Sequence, residues 1–159
     1  MTRYVVREAH LEELAIVIRH RRRMYEDMGY TDPVQLEELE RASTQFFGHH
    51  FAAGTYRGWF VEFEGLVVAG GGVLILPFQP QINNPRPERA WIVNMFTEPE
   101  HRRQGLARRM LEEMVAWCRR ESYSVVSLHA SDEGRSVYTT MGFRPSNEMR
   151  LPLNQAVQD

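Results

Sequence analysis

Apolar positions change their period several times along this 159-residue chain, and each change marks an element. Residues 4–7 read as a strand. From Leu11, the residues Leu14, Ala15, Ile18 and Met24 or Tyr25 recur at helical spacing to about Met28, where Gly29 supplies a stop. Pro33 suits the first turn of a second helix that runs to about Ala53, before Gly54. Residues 55–63 alternate imperfectly with aromatic residues, Glu64-Gly65 is a turn candidate, and 66–76 are almost continuously apolar, which predicts a hairpin. The Gly70-Gly71-Gly72 triplet leads into Val73-Leu74-Ile75-Leu76, which continues a strand and opens no helix. A bulge or close packing therefore explains it better than a nucleotide loop.

Residues 77–88 hold Pro77, Pro80, Pro85, Pro87 and two asparagines, and predict a long loop of the kind that often covers a site. A strand is expected over 91–96 and a helix from near Gly105 to about Glu121. In that helix Leu106, Met110, Met114 and Cys118 recur every four, with Ala107, Leu111 and Val115 beside them. Strand 125–129, short helix 133–141 and a final strand 143–151 follow, with a frayed tail after Pro152. No internal repeat interrupts the series.

The chain is long enough for one well-buried core, and with 43% hydrophobic residues a single domain is expected. A formal charge of −2 speaks against a dominant nucleic-acid surface. All 19 Lys/Arg residues are arginine, and Cys118 is the only cysteine, so no intrachain disulfide forms and a reducing cytoplasm is the expected location. No stretch reads as a signal peptide or a membrane span.

The run from Asn94 to Arg108 joins a strand to a helix through a loop with Arg102, Gly105 and Ala107 at fixed spacing. A helix start carries about half a positive charge and unpaired N–H groups, so each cation there is disfavoured by about 0.3–1 kcal/mol. Arg102, Arg103, Arg108 and Arg109 crowd it nevertheless. A phosphate on the backbone N–H groups explains the crowding, and needs Gly105 and the small Ala107 so that the main chain can approach closely. A solvated helix start, with Arg108–Glu112 and Arg109–Glu113 as i,i+4 pairs, fits the same spacing.

Two motifs carry a family resemblance: Pro99-Glu100-His101-Arg102-Arg103-Gln104-Gly105-Leu106-Ala107, and Val137-Tyr138-Thr139-Thr140-Met141-Gly142-Phe143. With the element order, they make the chain similar to the GNAT superfamily of acyl-CoA-dependent N-acetyltransferases over nearly its whole length. The first matches that family's (Gln/Arg)-x-x-Gly-x-(Gly/Ala) signature and the second its tyrosine-bearing C-terminal motif. The resemblance implies an α/β three-layer fold, with a mixed central sheet of six or seven strands flanked by about four helices, in one domain over 1–159. It implies transfer of an acetyl group from acetyl-CoA, a co-substrate, to a small-molecule or peptide amine, with no metal, no nucleic-acid or membrane partner, and a homodimer as in many similar proteins. The backbone of Met95, Phe96 and Thr97 would face the pantetheine and thioester. Arg102, Arg103, Gln104, Gly105, Leu106, Ala107 and Arg108 would hold the pyrophosphate. Ser131 stands where many members bond the pantetheine arm through an asparagine. Acceptor specificity would lie in residues 24–30 and 77–88.

Attack by an amine needs its neutral form, and a lysine-like amine of pKa about 10.4 is neutral only about once in 2,500 molecules at pH 7. A base or water path is therefore required, worth about 10² to 10⁴ in rate. The candidates are Glu98, His129, Glu26 and Glu62; for His129 a packing role is the alternative. By the resemblance, Tyr138 serves the departing thiolate, and packing on Phe143 is the alternative. The Arg19–Arg23 run reads as a solvated helix face with Arg22–Glu26 and Arg23–Asp27 pairs. Glu26 and Asp27 would suit a cationic acceptor if they face the cleft. Adjacent His49 and His50 lack ligand spacing, and Cys118 reads as a buried small hydrophobe. A catalytically silent acyl-CoA sensor of the same fold is the rival reading.

Overall fold

The computed structural model describes residues 3–154, and the chain divides into two compact units, Met1–His129 and Ala130–Asp159. The first opens with β1 (Tyr4–Glu8), then α1 (Leu14–Asp27) and α2 (Pro33–Ala53). Pro33 occupies the first turn of α2 as its fixed φ favours, and the Asp32 side chain caps that helix by accepting from the Val34 N–H at 2.9 Å. There follow β2 (Tyr56–Phe63), β3 (Leu66–Pro77), β4 (Glu88–Thr97), α3 (Leu106–Arg120) and β5 (Val126–Leu128). The second unit carries α4 (Arg135–Thr140).

The strands lie in the order β1-β2-β3-β4-β5, antiparallel except for the parallel pair β4 and β5. Period-2 alternation sends Tyr56 and Phe60 to one face, where they meet Val17, Ile18 and Phe47 of α1 and α2. Trp59 points to the other face and meets Trp117 of α3 with ring centroids 6.2 Å apart. The apolar stripe of α3 is buried as its spacing requires: Leu106, Met110, Leu111, Met114 and Cys118 are all at most 3% exposed. The glycine triplet makes room on both faces. A Cβ on Gly70 would collide with the His20 ring, on Gly71 with Met95 and Met114, and on Gly72 with Tyr56.

The expected strand count is corrected. The described sheet has five strands rather than six or seven, because 143–151 forms no ladder. Phe143, Pro145, Met149 and Leu151 alternate with Arg144, Ser146, Glu148 and Arg150, but Pro145 removes a ladder donor and Met149 and Leu151 stay exposed, so the apolar side of the segment is not packed on a neighbouring strand. The tail called frayed lies, for 155–159, outside the described residues.

The long loop is also shorter and more ordered than its prolines suggest. β3 and β4 stay paired out to Pro77 and Glu88, Phe78 donates to the Pro87 carbonyl, and Gln81 and Asn84 bond each other. Buried Asn84 accepts from Ser124, and Arg86 stacks over the Tyr123 ring at 3.9 Å while donating to the Glu121 carbonyl. The arm is therefore pinned to the turn between α3 and β5, at the start of β4.

Candidate functional site

β4 carries the irregularity that makes a site. Gly70 pairs with Phe96 and Gly72 with Val93, so Gly71 alone faces both Asn94 and Met95. This is a β-bulge, and Asn94 adopts φ +61°, a left-handed conformation that asparagine tolerates better than most residues. On the other edge, β5 pairs only with Ala90, Trp91 and Ile92. Past Ile92 the two parallel strands part, and β4 from Val93 to Thr97 has no ladder partner on its β5 side among the described residues. Met95, Phe96 and Thr97 thus share one unpaired strand edge. Phe96 sends its side chain under α1, stacked on His20 with centroids 5.0 Å apart.

β4 then runs through a 3-10 turn, Pro99–His101, to the start of α3. Arg103 at φ +61° and Gly105 at φ +73° fold the chain back so that Gly105 precedes the helix without a side-chain cap. The first backbone bond into the helix runs from the Arg109 N–H to the Gly105 carbonyl. Among the described residues, the amides of 103–108 have no protein acceptor, and they share the end of the helix that the macrodipole makes positive. A Cβ on Gly105 would meet nothing within 4 Å, so the glycine is required by its φ rather than by crowding.

The arginines around this turn are more engaged than their spacing suggests. Arg102 donates to the Thr97 carbonyl at 2.9 Å and to Asp27 at 2.8 Å, Arg108 pairs with Glu112 at 3.1 Å, and Arg109 donates to the Tyr4 carbonyl. The solvated i,i+4 pairing is thus present for Arg108. Arg103 and Gln104 are exposed, and Leu106 and Ala107 begin the buried side of α3.

The candidate bases separate by their partners. Glu98 lies between Arg19 at 2.7 Å and Arg23 at 3.5 Å, with its side chain 14% exposed. Glu26 pairs with Arg22 and Glu62 with Arg7, each at 2.8 Å. Arg23 therefore turns to Glu98, and Asp27, expected as its partner, pairs with Arg102. His129 is exposed, one residue beyond β5, where the β4–β5 ladder ends, and its ring lies 5.4 Å from Trp91.

In the second unit, Ser131 accepts from the Gly134 N–H at 3.1 Å. Tyr138 packs edge-on against Phe143 at 5.9 Å, and the Phe143 N–H donates to the Tyr138 carbonyl across Gly142 at φ +99°. The tyrosine-to-Gly-Phe motif is therefore a helix-capping unit in its own right. Burial raises the Tyr138 hydroxyl above its ordinary pKa.

The family model of the Acetyltransferase (GNAT) family matches residues 16–143, which spans β4, the anion-type turn and both motifs. The chain belongs to that family. A GCN5-related N-acetyltransferase from Ralstonia eutropha JMP134 superposes with a TM-score of 0.88 at 27% identity, covering 95% of this chain and 99% of that one. A protein described as a predicted acetyltransferase with acetyl-CoA from Clostridium acetobutylicum gives 0.86 at 26% identity, with 97% of each chain covered. Human N-acetyltransferase 8 is 28% identical over 95 residues, 57% of this chain and 39% of that protein, so the match spans about two fifths of the curated relative.

One cluster of this GNAT chain has no motif in its sequence. Arg21 of α1 donates from Nε to Ser43 of α2 and from Nη1 to Asn94 at the bulge, both at 3.1 Å. Asn94 reaches the Tyr56 hydroxyl at 3.4 Å, and burial pushes that phenol up to about 12. In the sequence only the i, i+4 spacing of Arg21 and Tyr25 hints at it. Among the described residues, no cluster of His, Cys, Asp and Glu is arranged to hold a metal, and no helix is long and apolar enough to cross a membrane.

Proposed function

We propose that this chain is an N-acetyltransferase that moves an acetyl group from acetyl-CoA to an amine. The observation that carries the reading is the row of amides at 103–108 without protein acceptors at the start of α3, in a chain of the GNAT family. Several N–H groups and a helix dipole aimed at one place suit a diphosphate. Among the described residues, Arg103 is the arginine at this turn without a protein partner, so its guanidinium is the one available to add charge. The unpaired edge from Val93 to Thr97 suits the amide-bearing pantetheine arm, which would extend the sheet as a strand does.

The neutral amine attacks the thioester carbonyl carbon; a C–N bond forms, the C–S bond breaks, and the amine gives up a proton. His129 takes that proton, as an imidazole placed where the β4–β5 ladder ends and the unpaired edge of β4 begins. Glu98 serves instead to fix Arg19 and Arg23 beside the end of β4. Following the family resemblance, Tyr138 hydrogen-bonds the departing thiolate. A thiol ionises near 8.5 and tyrosine near 10, so full transfer of the phenolic proton is uphill by about 2 kcal/mol, and the burial of Tyr138 widens the gap. A hydrogen bond to the developing charge is the cheaper service. Ser131, its oxygen already accepting from Gly134, keeps its hydroxyl proton for the pantetheine arm.

The test is acetyl-CoA with a panel of amines, read by free thiol and by mass. Acceptor-dependent thiol release is expected. Tyr138→Phe should lower turnover at least tenfold while leaving acetyl-CoA affinity unchanged, and equal turnover would remove Tyr138 from the chemistry. Binding of acetyl-CoA without thiol release from any amine would instead favour the silent sensor, a reading to which the arginine-held carboxylates lend some weight.

A further inference from the structure

The first helix presents four arginines, and three of them meet carboxylates: Arg19 and Arg23 on Glu98, and Arg22 on Glu26 and Glu40. Arg21 meets none. It is the one aimed between α1, α2 and β4, where its Nε and Nη1 donate to the neutral oxygens of Ser43 and Asn94. Both of these side chains are at least nine-tenths buried. Its guanidinium lies over the Phe47 ring at 5.2 Å and the Tyr25 ring at 5.5 Å, which leaves Nη2 without a protein acceptor among the described residues.

A half-buried cation with only neutral partners is costly, and two aromatic faces repay only part of the lost hydration. A planar fork with free donors is suited to bidentate pairing with a carboxylate. The place matters as much as the charge, since Asn94 belongs to the unpaired edge of β4 that takes the thioester in the reading above.

Resting on that reading, the geometry points to Arg21 as the acceptor-specificity residue: it binds a carboxylate carried by the amine substrate a few bonds from its nitrogen, as in an α-amino acid. Arg21 holds the carboxylate, Tyr25 and Phe47 wall the site, and the bulge brings the amine to the acyl group. A cationic acceptor drawn by Glu26 and Asp27 fits less well, because those carboxylates already pair with Arg22 and Arg102.

The experiment compares L-amino acids with their carboxamides as acceptors, at fixed acetyl-CoA. The amide's less basic amine favours it in unassisted chemistry, so a preference for the acid must come from the protein. At least a tenfold higher kcat/KM for the acids is expected in the unaltered protein. In Arg21→Gln that ratio should fall at least tenfold with the KM for acetyl-CoA unchanged. Ser43→Asp, which supplies an internal carboxylate to Arg21, should shift the ratio the same way. Equal use of acids and amides by the unaltered protein overturns the inference, as does a ratio that survives in Arg21→Gln. If no amine releases thiol, the transferase reading fails by itself. Calorimetric titration of L-amino acids into the CoA-loaded protein then decides: binding lost in Arg21→Gln supports the carboxylate site, and no binding, or binding equal in the two proteins, overturns it.

Discussion

His20 shows what a single buried residue can impose. Its ring is 1% exposed, packed between Phe60 and Phe96 in the space Gly70 leaves open, and its Nε2 has no partner. Burial, reinforced by Arg19 and Arg23, lowers its pKa from 6.5 to about 4. Between those values the unfolded chain binds a proton that the folded one refuses, so the contribution of His20 to stability falls as the pH drops from about 6.5 to about 4 and is level outside that window. The full loss is about 3 kcal/mol. Urea unfolding at pH 7 and pH 5 should show the decline, and His20→Leu should reduce it. Glu13, held near 2 by its hydrogen bonds from Arg7, loses its contribution only as the pH falls below the ordinary carboxylate range and so adds nothing between pH 7 and pH 5, whereas His50, also lowered by burial and by His49, adds a decline that His20→Leu leaves in place. Parallel declines in the two proteins would show that His20 is not the acid-sensitive group.

At the scale of elements, the helices stop by a shared device. After α1, α2 and α4 a glycine takes a left-handed φ, and the next residue donates back to the carbonyl five residues earlier: Tyr30 to Tyr25, Thr55 to His50, Phe143 to Tyr138. The donor and acceptor residues also touch through their side chains, Tyr25 with Tyr30, His50 with Thr55, and Tyr138 with Phe143. These stops were legible because glycine is the residue that the conformation favours. α3 ends in the same bond, Tyr123 to Cys118, but with Ser122 at φ +63°. A left-handed serine carries strain that glycine does not, so Ser122→Gly should stabilise the protein by about 1 kcal/mol, read as a higher urea midpoint at unchanged slope. An unchanged midpoint would mean that the serine is compensated elsewhere.

For the molecule as a whole, the strongest consequence of the proposed function is linkage between ligand and stability. A ligand bound only by the folded state adds about 2.7 kcal/mol at a hundredfold excess over its Kd, which for a chain of this length raises Tm by about 5–10 °C. Acetyl-CoA should produce that shift. Gly105→Glu, which puts bulk and negative charge among the amides at 103–108, should abolish it, while Gly105→Asn, which tolerates the left-handed φ, should keep it. A full shift in a folded Gly105→Glu protein would refute the diphosphate cradle.

The order of the elements, the buried stripe of α3, the hairpin and the turn at Gly105 were all readable from residue types, because periodicity, proline and glycine act on the neighbouring chain alone. The strand expected over 143–151 and the open loop expected over 77–88 misled for the complementary reason. A strand exists only where a partner supplies its ladder, and an arm is closed by contacts such as Asn84 with Ser124, which come from 40 residues away. The same limit governs the site. Sequence by itself determined that amides at the start of α3 would be free, since no helix can bond its own first turn. Only the tertiary structure decided which charges stay unanswered: Arg19 and Arg23 find Glu98, Arg22 finds Glu40 besides the Glu26 that its spacing offered, and Arg21, one residue away on the same helix, finds no carboxylate among the described residues. Coulomb pairing depends on distance in space, and spacing along a helix does not encode what α2 and β4 bring to each side of it.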